Sequence, residues 1–223
     1  MEKGVQNVEK AYKIVYEGGS GEIVEKKSRF IADICPVNTE EEALEMIARI
    51  RKEYWDARHH CFAYRIGNGQ VLERCSDDGE PAQTAGRPML DVIAGEGLHN
   101  VCAVVTRYFG GTLLGTGGLV RAYSQATKEG LANCTIVTKL PGVKLSVHTD
   151  YNGLGKIQYL AGKEGLSLLD SIYTEEVELI YLIPLEKVGK IQADFTEATA
   201  GKARMETSDP LYYGQANGEL IIF

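Results

Sequence analysis

The sequence predicts an α+β protein in two parts, residues 1–140 and residues 141–223. Apolar runs of strand type alternate with helical runs along the chain. After Leu140-Pro141-Gly142 the elements follow the order βαββαβ, which is the ferredoxin-like split motif. A turn dipeptide stands there and the charge balance changes: residues 1–140 carry 17 basic and 19 acidic side chains, and residues 141–223 carry 7 and 12.

Composition and charge limit the classes of partner. The 223 residues are 44% hydrophobic and 25% charged, and the net charge of −7 excludes binding of nucleic acid by bulk charge. No apolar run reaches the length of a membrane span, and the N-terminus lacks an apolar signal region. The five cysteines are scattered and form no C-x-x-C pair, which indicates reduced thiols. We therefore expect a cytoplasmic protein with no membrane or DNA partner.

Extended segments open the N-terminal part. Residues 12–17 and 21–27 flank Gly18-Gly19-Ser20-Gly21, and this arrangement predicts a hairpin. Residues 28–35 alternate between apolar and polar side chains and are followed by proline, which predicts a strand.

A helix is predicted over residues 39–54. Thr39 and Glu42 have capping-box spacing, and the apolar residues that follow have helical spacing. Trp55 lies just past this helix and is interpreted as a core or interface residue, with a stacking platform as the alternative.

Turn residues divide the rest of the N-terminal part. Gly67-Asn68-Gly69 separates two short apolar runs and predicts a second hairpin. The remaining predicted elements are a loop over 77–86, a short helix over 88–94, a buried strand over 101–106, a helix over 119–131 and a strand over 135–138.

The C-terminal part is predicted as one unit of about 80 residues. Its elements are a strand over 143–149, a helix over 151–164, strands over 168–174 and 177–183, a helix over 185–199 and a strand over 203–208. A last strand over 219–223 is expected to add to this unit.

A glycine-rich loop stands between the buried strand and the helix after it. A strand, a glycine turn and a helix N-terminus together can bind an anion through free backbone N–H groups. The spacing fits neither a P-loop, which needs a lysine, nor G-x-G-x-x-G. Three interpretations stay open: close backbone packing, an anion or RNA phosphate site, and a nucleotide pocket. The candidate binding residues are Arg107, Gly110, Gly111, Gly115, Gly117, Gly118 and Arg121.

An acidic turn, Asp77-Asp78-Gly79-Glu80, precedes the glycine-rich loop in the sequence. Carboxylates this close repel each other, so they either hold a cation such as Mg²⁺ or pair with arginines to brace the loop. The adjacent histidines 59 and 60 would point to opposite faces of a strand, so no metal site is predicted from them. The supporting acidic and polar residues are Arg58, His60, Asp77, Asp78, Glu80 and Thr84.

Four groups of motifs carry a resemblance to a known family. They are Lys27-Ser28-Arg29-Phe30, the run from Trp55 to Tyr64, Asp77-Asp78-Gly79-Glu80-Pro81 with Thr84-Ala85-Gly86, and Arg107 to Gly111 with Leu114 to Tyr123. In these motifs the chain resembles the IMPACT family, and within it the bacterial branch of the YigZ/YvyE type. The remainder resembles the small C-terminal domain of bacterial members.

The resemblance implies a fold for each part. The N-terminal part is expected to be like domain 2 of ribosomal protein S5, a mixed sheet with helices on one face, and the C-terminal part to be ferredoxin-like. Both resemble modules of elongation factor G. Eukaryotic relatives restrain an initiation-factor kinase by means of an additional N-terminal domain, so we do not expect this chain to share that role. No established catalytic residues accompany the family, and the catalytic residues stay unknown.

Three functions follow as hypotheses. The first is a non-catalytic, translation-associated binding protein whose glycine loop contacts RNA phosphate, a ribosomal surface or a translation factor. The second is an enzyme acting on a phosphorylated small molecule or nucleotide, with Mg²⁺ held at Asp77-Asp78-Gly79-Glu80. The third is a protein-docking surface with no small ligand. The first is preferred, and no resident cofactor is expected with it.

Overall fold

The computed structural model describes residues 10–223, which divide into two compact units. The first unit comprises residues 12–138 and 215–219, and the second comprises residues 10–11, 139–214 and 220–223. No helix among the described residues is long and apolar enough to cross a bilayer.

Seven strands and three helices lie wholly in the first unit. They are β1 (Tyr12–Glu17), β2 (Gly19–Glu25), β3 (Ser28–Pro36), α1 (Glu40–Glu53), β4 (His59–Ile66), β5 (Leu72–Ser76), α2 (Gly86–Gly95), β6 (Leu98–His99), β7 (Val101–Tyr108) and α3 (Thr116–Ala132). The next strand, β8 (Thr135–Thr149), runs on into the second unit. The predicted helices and the second hairpin are therefore present close to their expected positions.

The main sheet of the first unit has the order β2-β3-β7-β4-β5, and its neighbouring strands are antiparallel. A parallel pairing joins β1 to β6 outside this sheet. Strand β7 lies at the centre of the main sheet, with β3 on one side and β4 on the other. Every residue from Val101 to Arg107 in this strand is buried.

Helices cover both faces of the main sheet. Ala103 and Val105 pack into a core that includes residues of α2 and α3, whereas Cys102 and Val104 pack into a second core with α1. Successive side chains of a strand point to opposite faces. The α+β class is confirmed, but the expectation of helices on one face is wrong. Strand β7 is apolar at nearly every position, and such a strand needs cover on both sides.

Helix α1 begins as its capping signal predicts. The Glu42 N–H donates to the Thr39 hydroxyl over 3.2 Å, and the Glu42 carboxylate accepts from the Asn38 N–H over 2.6 Å. Just beyond the helix, Trp55 is 81% exposed. The interpretation of Trp55 as a core residue is therefore wrong.

The first predicted hairpin is also wrong. Strand β2 pairs with β3 through a turn at Lys26 and Lys27, which have φ of 45° and 67°, while β1 pairs with β6. The glycines serve close packing instead of a turn. A Cβ at Gly19 would lie 2.4 Å from the Asn133 carbonyl oxygen, and one at Gly21 would lie 2.6 Å from the Glu129 carbonyl carbon. They let β2 contact the C-terminal end of α3 backbone to backbone.

The second unit has the ferredoxin-like order that the sequence predicts. Its further elements are α4 (Tyr151–Glu164), β9 (Ser167–Tyr173), β10 (Val177–Pro184), α5 (Val188–Ala198), β11 (Arg204–Thr207), β12 (Leu211–Ala216) and β13 (Glu219–Ile222). The sheet order is β9-β10-β8-β11, and all neighbours are antiparallel. Its core contains Leu145, Ile157 and Phe195, each fully buried. Strand β12, which was not predicted, pairs with both β8 and β13.

Candidate functional site

A groove of about 420 Å³ lies where β7 ends and the glycine loop leads into α3. We call it the arginine groove. Its polar lining residues are Arg58, His59, Glu80, Arg107 and Thr116, with Gly115. Its apolar lining residues are Pro81, Phe109, Leu113, Leu114 and Leu119. Of the predicted candidates, the groove thus brings together Arg58, Glu80, Arg107 and Gly115.

A buried ion pair forms the floor of the arginine groove. Arg107 Nη1 donates to Glu80 Oε1 over 2.5 Å, and the two side chains are only 6% and 4% exposed. The Arg107 guanidinium also lies over the rings of Phe30 and Phe109, at 5.3 and 5.6 Å from their centroids. Two charges removed from water need such dense partnering, because desolvation costs several kcal/mol per ion. Arg107 is therefore held in a single place.

Glu80 is held from a second side by helix α3. The Tyr123 hydroxyl donates to Glu80 Oε1 over 2.8 Å, and Cys61 Sγ lies 3.3 Å from that hydroxyl oxygen. Burial raises the pKa of both Tyr123 and Cys61. Both groups therefore keep their protons near neutral pH, and Tyr123 stays a donor to the carboxylate.

Two polar atoms of the ion pair have no hydrogen-bond partner within residues 10–223. Arg107 Nε is buried without a hydrogen bond among the described residues. Both hydrogen bonds to the Glu80 carboxylate go to Oε1, which leaves Oε2 without one in the part of the chain that the structure describes. Glu80 lines the groove, and its Oε2 keeps its hydrogen-bonding capacity free for a donor placed there.

The N-terminus of α3 opens into the same groove. Gly115 precedes the helix with φ 73° and supplies no side-chain cap. The Leu119 N–H donates to the Gly115 carbonyl, so the N–H groups of residues 116–118 precede the first intrahelical bond. These N–H groups and the helix dipole favour an anion at this end of the groove.

Arg58 provides an exposed positive charge at the rim. Its side chain is exposed and lines the groove, and it makes no hydrogen bond or ion pair with the residues that the structure describes. With the Glu80–Arg107 pair neutral overall, Arg58 gives the groove a net positive charge. The arrangement can therefore accept one anionic group between Arg58 and the helix end.

The other glycines of the loop serve backbone geometry. A Cβ at Gly110 would lie 2.0 Å from the Lys27 carbonyl carbon, so Gly110 allows the loop to contact the β2–β3 turn. Gly111 has φ 83°, which a residue with a side chain rarely adopts. A Cβ at Gly118 would lie 3.0 Å from Leu114 Cβ, whereas a Cβ at Gly117 would lie 3.6 Å from Arg121 Nη1. The packing interpretation therefore holds for Gly110, while Gly115 belongs to the groove.

Two of the three carboxylates in the acidic turn are structural. Asp77 accepts from the N–H groups of Gln83, Ala85 and Gly86 and so begins helix α2. Asp78 accepts from Arg51 and from the His60 N–H, each over 2.7 Å. Among residues 10–223, no group of three or more His, Cys, Asp or Glu side chains is arranged to hold a metal ion.

Three further candidates lie away from the groove. Arg121 lines a different cavity, beside Ile23 and Lys128. His60 is buried, and its Nε2 donates to the Tyr54 carbonyl over 3.0 Å. The Thr84 hydroxyl is also buried and donates to the Pro81 carbonyl over 2.7 Å. These contacts give His60 and Thr84 a role in holding the loops that carry Arg58 and Glu80.

Sequence reasoning missed the apolar half of the site and part of its support. Phe109 and Leu113 are 49% and 83% exposed at the groove. The buried Ser28 hydroxyl accepts from the Gly110 N–H over 3.1 Å and lies 3.4 Å from Arg107 Nη2. The run Phe109 to Leu114 places large apolar residues inside a glycine loop, and that was the available signal.

Comparison with known proteins gives the family. Residues 26–131 match the model of the Impact N-terminal domain, and residues 147–202 match a domain of unknown function, DUF1949. The chain is 40% identical to IMPACT family member YvyE of Bacillus subtilis (strain 168), over 92% of this chain and 95% of that protein. This chain belongs to the IMPACT family. The family assignment made from the sequence motifs is confirmed.

Other relatives agree with this assignment. IMPACT family member YigZ of Escherichia coli (strain K12) is 37% identical over 81% of this IMPACT chain and 89% of its own length. A solved structure described as that of a hypothetical protein has 35% identity and a TM-score of 0.56, and the match covers 88% of this chain and 97% of the other. All residues of the arginine groove lie inside the matched Impact N-terminal domain.

Proposed function

We propose that this IMPACT family protein is a non-catalytic, translation-associated protein that binds RNA phosphate in the arginine groove. One observation carries the proposal: the uncapped end of α3 opens onto the same groove as the fixed Arg107 and as Arg58, which has no ion-pair partner in the described part of the chain. Phosphate contacts in nucleic-acid complexes come mainly from arginine, lysine and backbone N–H groups of this kind. The resemblance of both halves to elongation-factor modules supports the link to translation.

The charge of the whole chain requires a local contact. With a net charge of −7, long-range attraction to a polyanion is unfavourable, so few phosphates are engaged. We expect weak binding with a shallow dependence on salt, since the slope scales with the number of neutralised phosphates. A broad basic face would give a steep dependence instead.

The acidic turn gives the enzymatic alternative little support. Asp77 and Asp78 are engaged by backbone N–H groups and Arg51, and Glu80 is engaged by Arg107 and Tyr123. Holding Mg²⁺ there would require breaking these contacts. Thermal shift with a nucleotide panel, with and without Mg²⁺, distinguishes the two functions, because a ligand at 100 times its Kd stabilises by about 2.7 kcal/mol. A flat panel favours the binding protein.

The direct test is RNA binding by fluorescence anisotropy across a salt series. We expect Arg58→Ala to weaken binding about tenfold and to reduce the salt slope by about 0.7, the value of one phosphate contact on a single strand. Arg74→Ala is the matched control, because it removes an exposed arginine of β5 that does not line the groove. Absence of binding at low salt, or equal losses in the two variants, contradicts the proposal.

A further inference from the structure

The arginine groove is more than an anion site, because much of its lining is apolar. Phe109, Leu113 and Leu119 lie along it together with Arg58 and Arg107. Leu119 is 5% exposed, whereas Phe109 and Leu113 stay largely open to solvent. A bare phosphate ion would make no use of these side chains. The ligand that fits this lining carries an apolar or aromatic body beside its anionic group.

Phe109 is positioned to accept a flat ring. Arg107 lies over the Phe109 ring, and the residue is still 49% exposed at the groove. The buried guanidinium thus fixes the aromatic side chain while leaving part of its surface free. Bases of single-stranded nucleic acids stack on aromatic side chains presented in this way.

The groove also offers an acceptor between its anionic and apolar ends. Glu80 Oε2 has no hydrogen bond among the described residues, and the buried Arg107 Nε has no acceptor there either. A ligand that presents a hydroxyl or amine donor with its anion would satisfy Glu80 Oε2. This oxygen, on a side chain that is 4% exposed and lines the groove, is an indication of a ligand that is independent of the α3 N-terminus.

We propose that the arginine groove holds one unpaired ribonucleotide of an RNA chain. The phosphate lies between Arg58 and the first turn of α3, the ribose hydroxyl donates to Glu80, and the base packs against Phe109 and Leu113. This inference rests on the proposed function and names the form of RNA that is bound. A cavity of about 420 Å³ is in the size range of small-molecule sites. A base paired inside a duplex cannot reach Phe109, because both its faces are stacked.

The test is competition for a labelled single-stranded RNA hexamer bound to the full chain. The competitors are the unlabelled hexamer, a blunt duplex of the same sequence, the DNA hexamer, a ribonucleoside 5′-monophosphate and inorganic phosphate. We expect the single-stranded RNA to compete at least tenfold better than the duplex or the DNA, and the nucleotide to compete better than phosphate. Equal competition by duplex, by DNA or by phosphate overturns the inference.

Two aromatic variants locate the base. Phe109→Ala is expected to weaken single-stranded RNA binding roughly tenfold, the loss of one stacked base. Trp55→Ala is the control, because Trp55 is an exposed aromatic residue that does not line the groove. Circular dichroism checks that both variants fold. If Phe109→Ala binds RNA as the parent does, or if both variants lose affinity equally, the base is not held in the groove.

The failure of this inference differs from the failure of the proposed function. If binding depends on Arg58 but is equally strong for single-stranded RNA and for duplex, the phosphate site is supported and the proposal of an unpaired nucleotide is contradicted. Absence of any RNA binding removes both. The Arg58→Ala measurement on the hexamer therefore accompanies every competition series.

Discussion

At the residue scale, Arg107 is the centre of the candidate site. Its charge is buried against Glu80, and its guanidinium lies near two aromatic rings. A lysine could not replace it, because the planar guanidinium donates in several directions while it stacks. The arrangement removes two charges from water, and it fixes one hydrogen-bond donor and one aromatic ring beside an open groove. Replacing only one of the pair would leave an uncompensated buried charge.

Another buried acid gives a prediction on pH. Asp33 lies in β3 with Oδ2 buried and unpartnered among the described residues, and burial raises its pKa above the ordinary value. The folded state therefore holds this proton to higher pH than the unfolded chain does, so the contribution of Asp33 to stability falls as pH rises above about 4. We expect Asp33→Asn to remove this decline and to be more stable than the parent at pH 7, by about 1–3 kcal/mol.

Urea unfolding at pH 4 and pH 7 measures this effect. Asp209→Asn is the control, because it changes an exposed carboxyl. The assignment is contradicted if the unfolding free energy changes between the two pH values by the same amount in the parent protein and in Asp33→Asn.

At the scale of elements, helix α3 connects the scaffold and the site. Its C-terminal end packs against β2 at Gly19 and Gly21, Tyr123 in its middle holds Glu80, and its N-terminus opens into the groove. A shift of the helix along the sheet would therefore move the donors of its first turn. The glycines at the far end fix where the groove lies.

A substitution in β2 tests this packing. Gly21→Ala would place a Cβ 2.6 Å from the backbone of Glu129 and Gly130, so strand and helix must separate. We expect a loss of about 1–3 kcal/mol in unfolding free energy, as for other overpacked positions. Gly155→Ala in α4 is the control. Its Cβ meets no atom of the described residues within 4 Å outside the helix's own backbone, and it is expected to stabilise the helix by up to about 1 kcal/mol. An unchanged thermal midpoint for Gly21→Ala contradicts the packing.

At the scale of the whole molecule, the chain has separate cores in its two units. Ile93 belongs to the core under α2 and α3, and Leu145 belongs to the core of the ferredoxin-like unit; both are fully buried. We expect Ile93→Ala and Leu145→Ala each to cost about 2–5 kcal/mol through lost burial and a residual cavity. In hydrogen exchange followed by mass spectrometry, amide exchange should accelerate more in β7 for Ile93→Ala and more in β10 for Leu145→Ala. The reverse pattern contradicts the division of the cores.

Local patterns in the sequence were sufficient for most elements and for the family. The helix at Thr39 and the βαββαβ order follow from capping residues and apolar periodicity, which depend on neighbours within a few positions. The motifs from Lys27 to Tyr123 identified the IMPACT family, which the comparisons confirm. The sequence also placed Arg107 and Gly115 among the candidate binding residues.

Only the tertiary structure decided which side chains meet at the groove. Arg121 follows Thr116 by five residues, which is roughly 140° around a helix, so it lies on another side of α3. The paths of the loops that carry Arg58 and Glu80 likewise depend on long-range contacts. The hairpin at Gly18–Gly21 was wrong for the same reason: Gly19 and Gly21 pack against the C-terminal end of helix α3, more than 100 residues later in the chain. Such contacts leave no local signal, because spacing along the chain does not record which elements pack together.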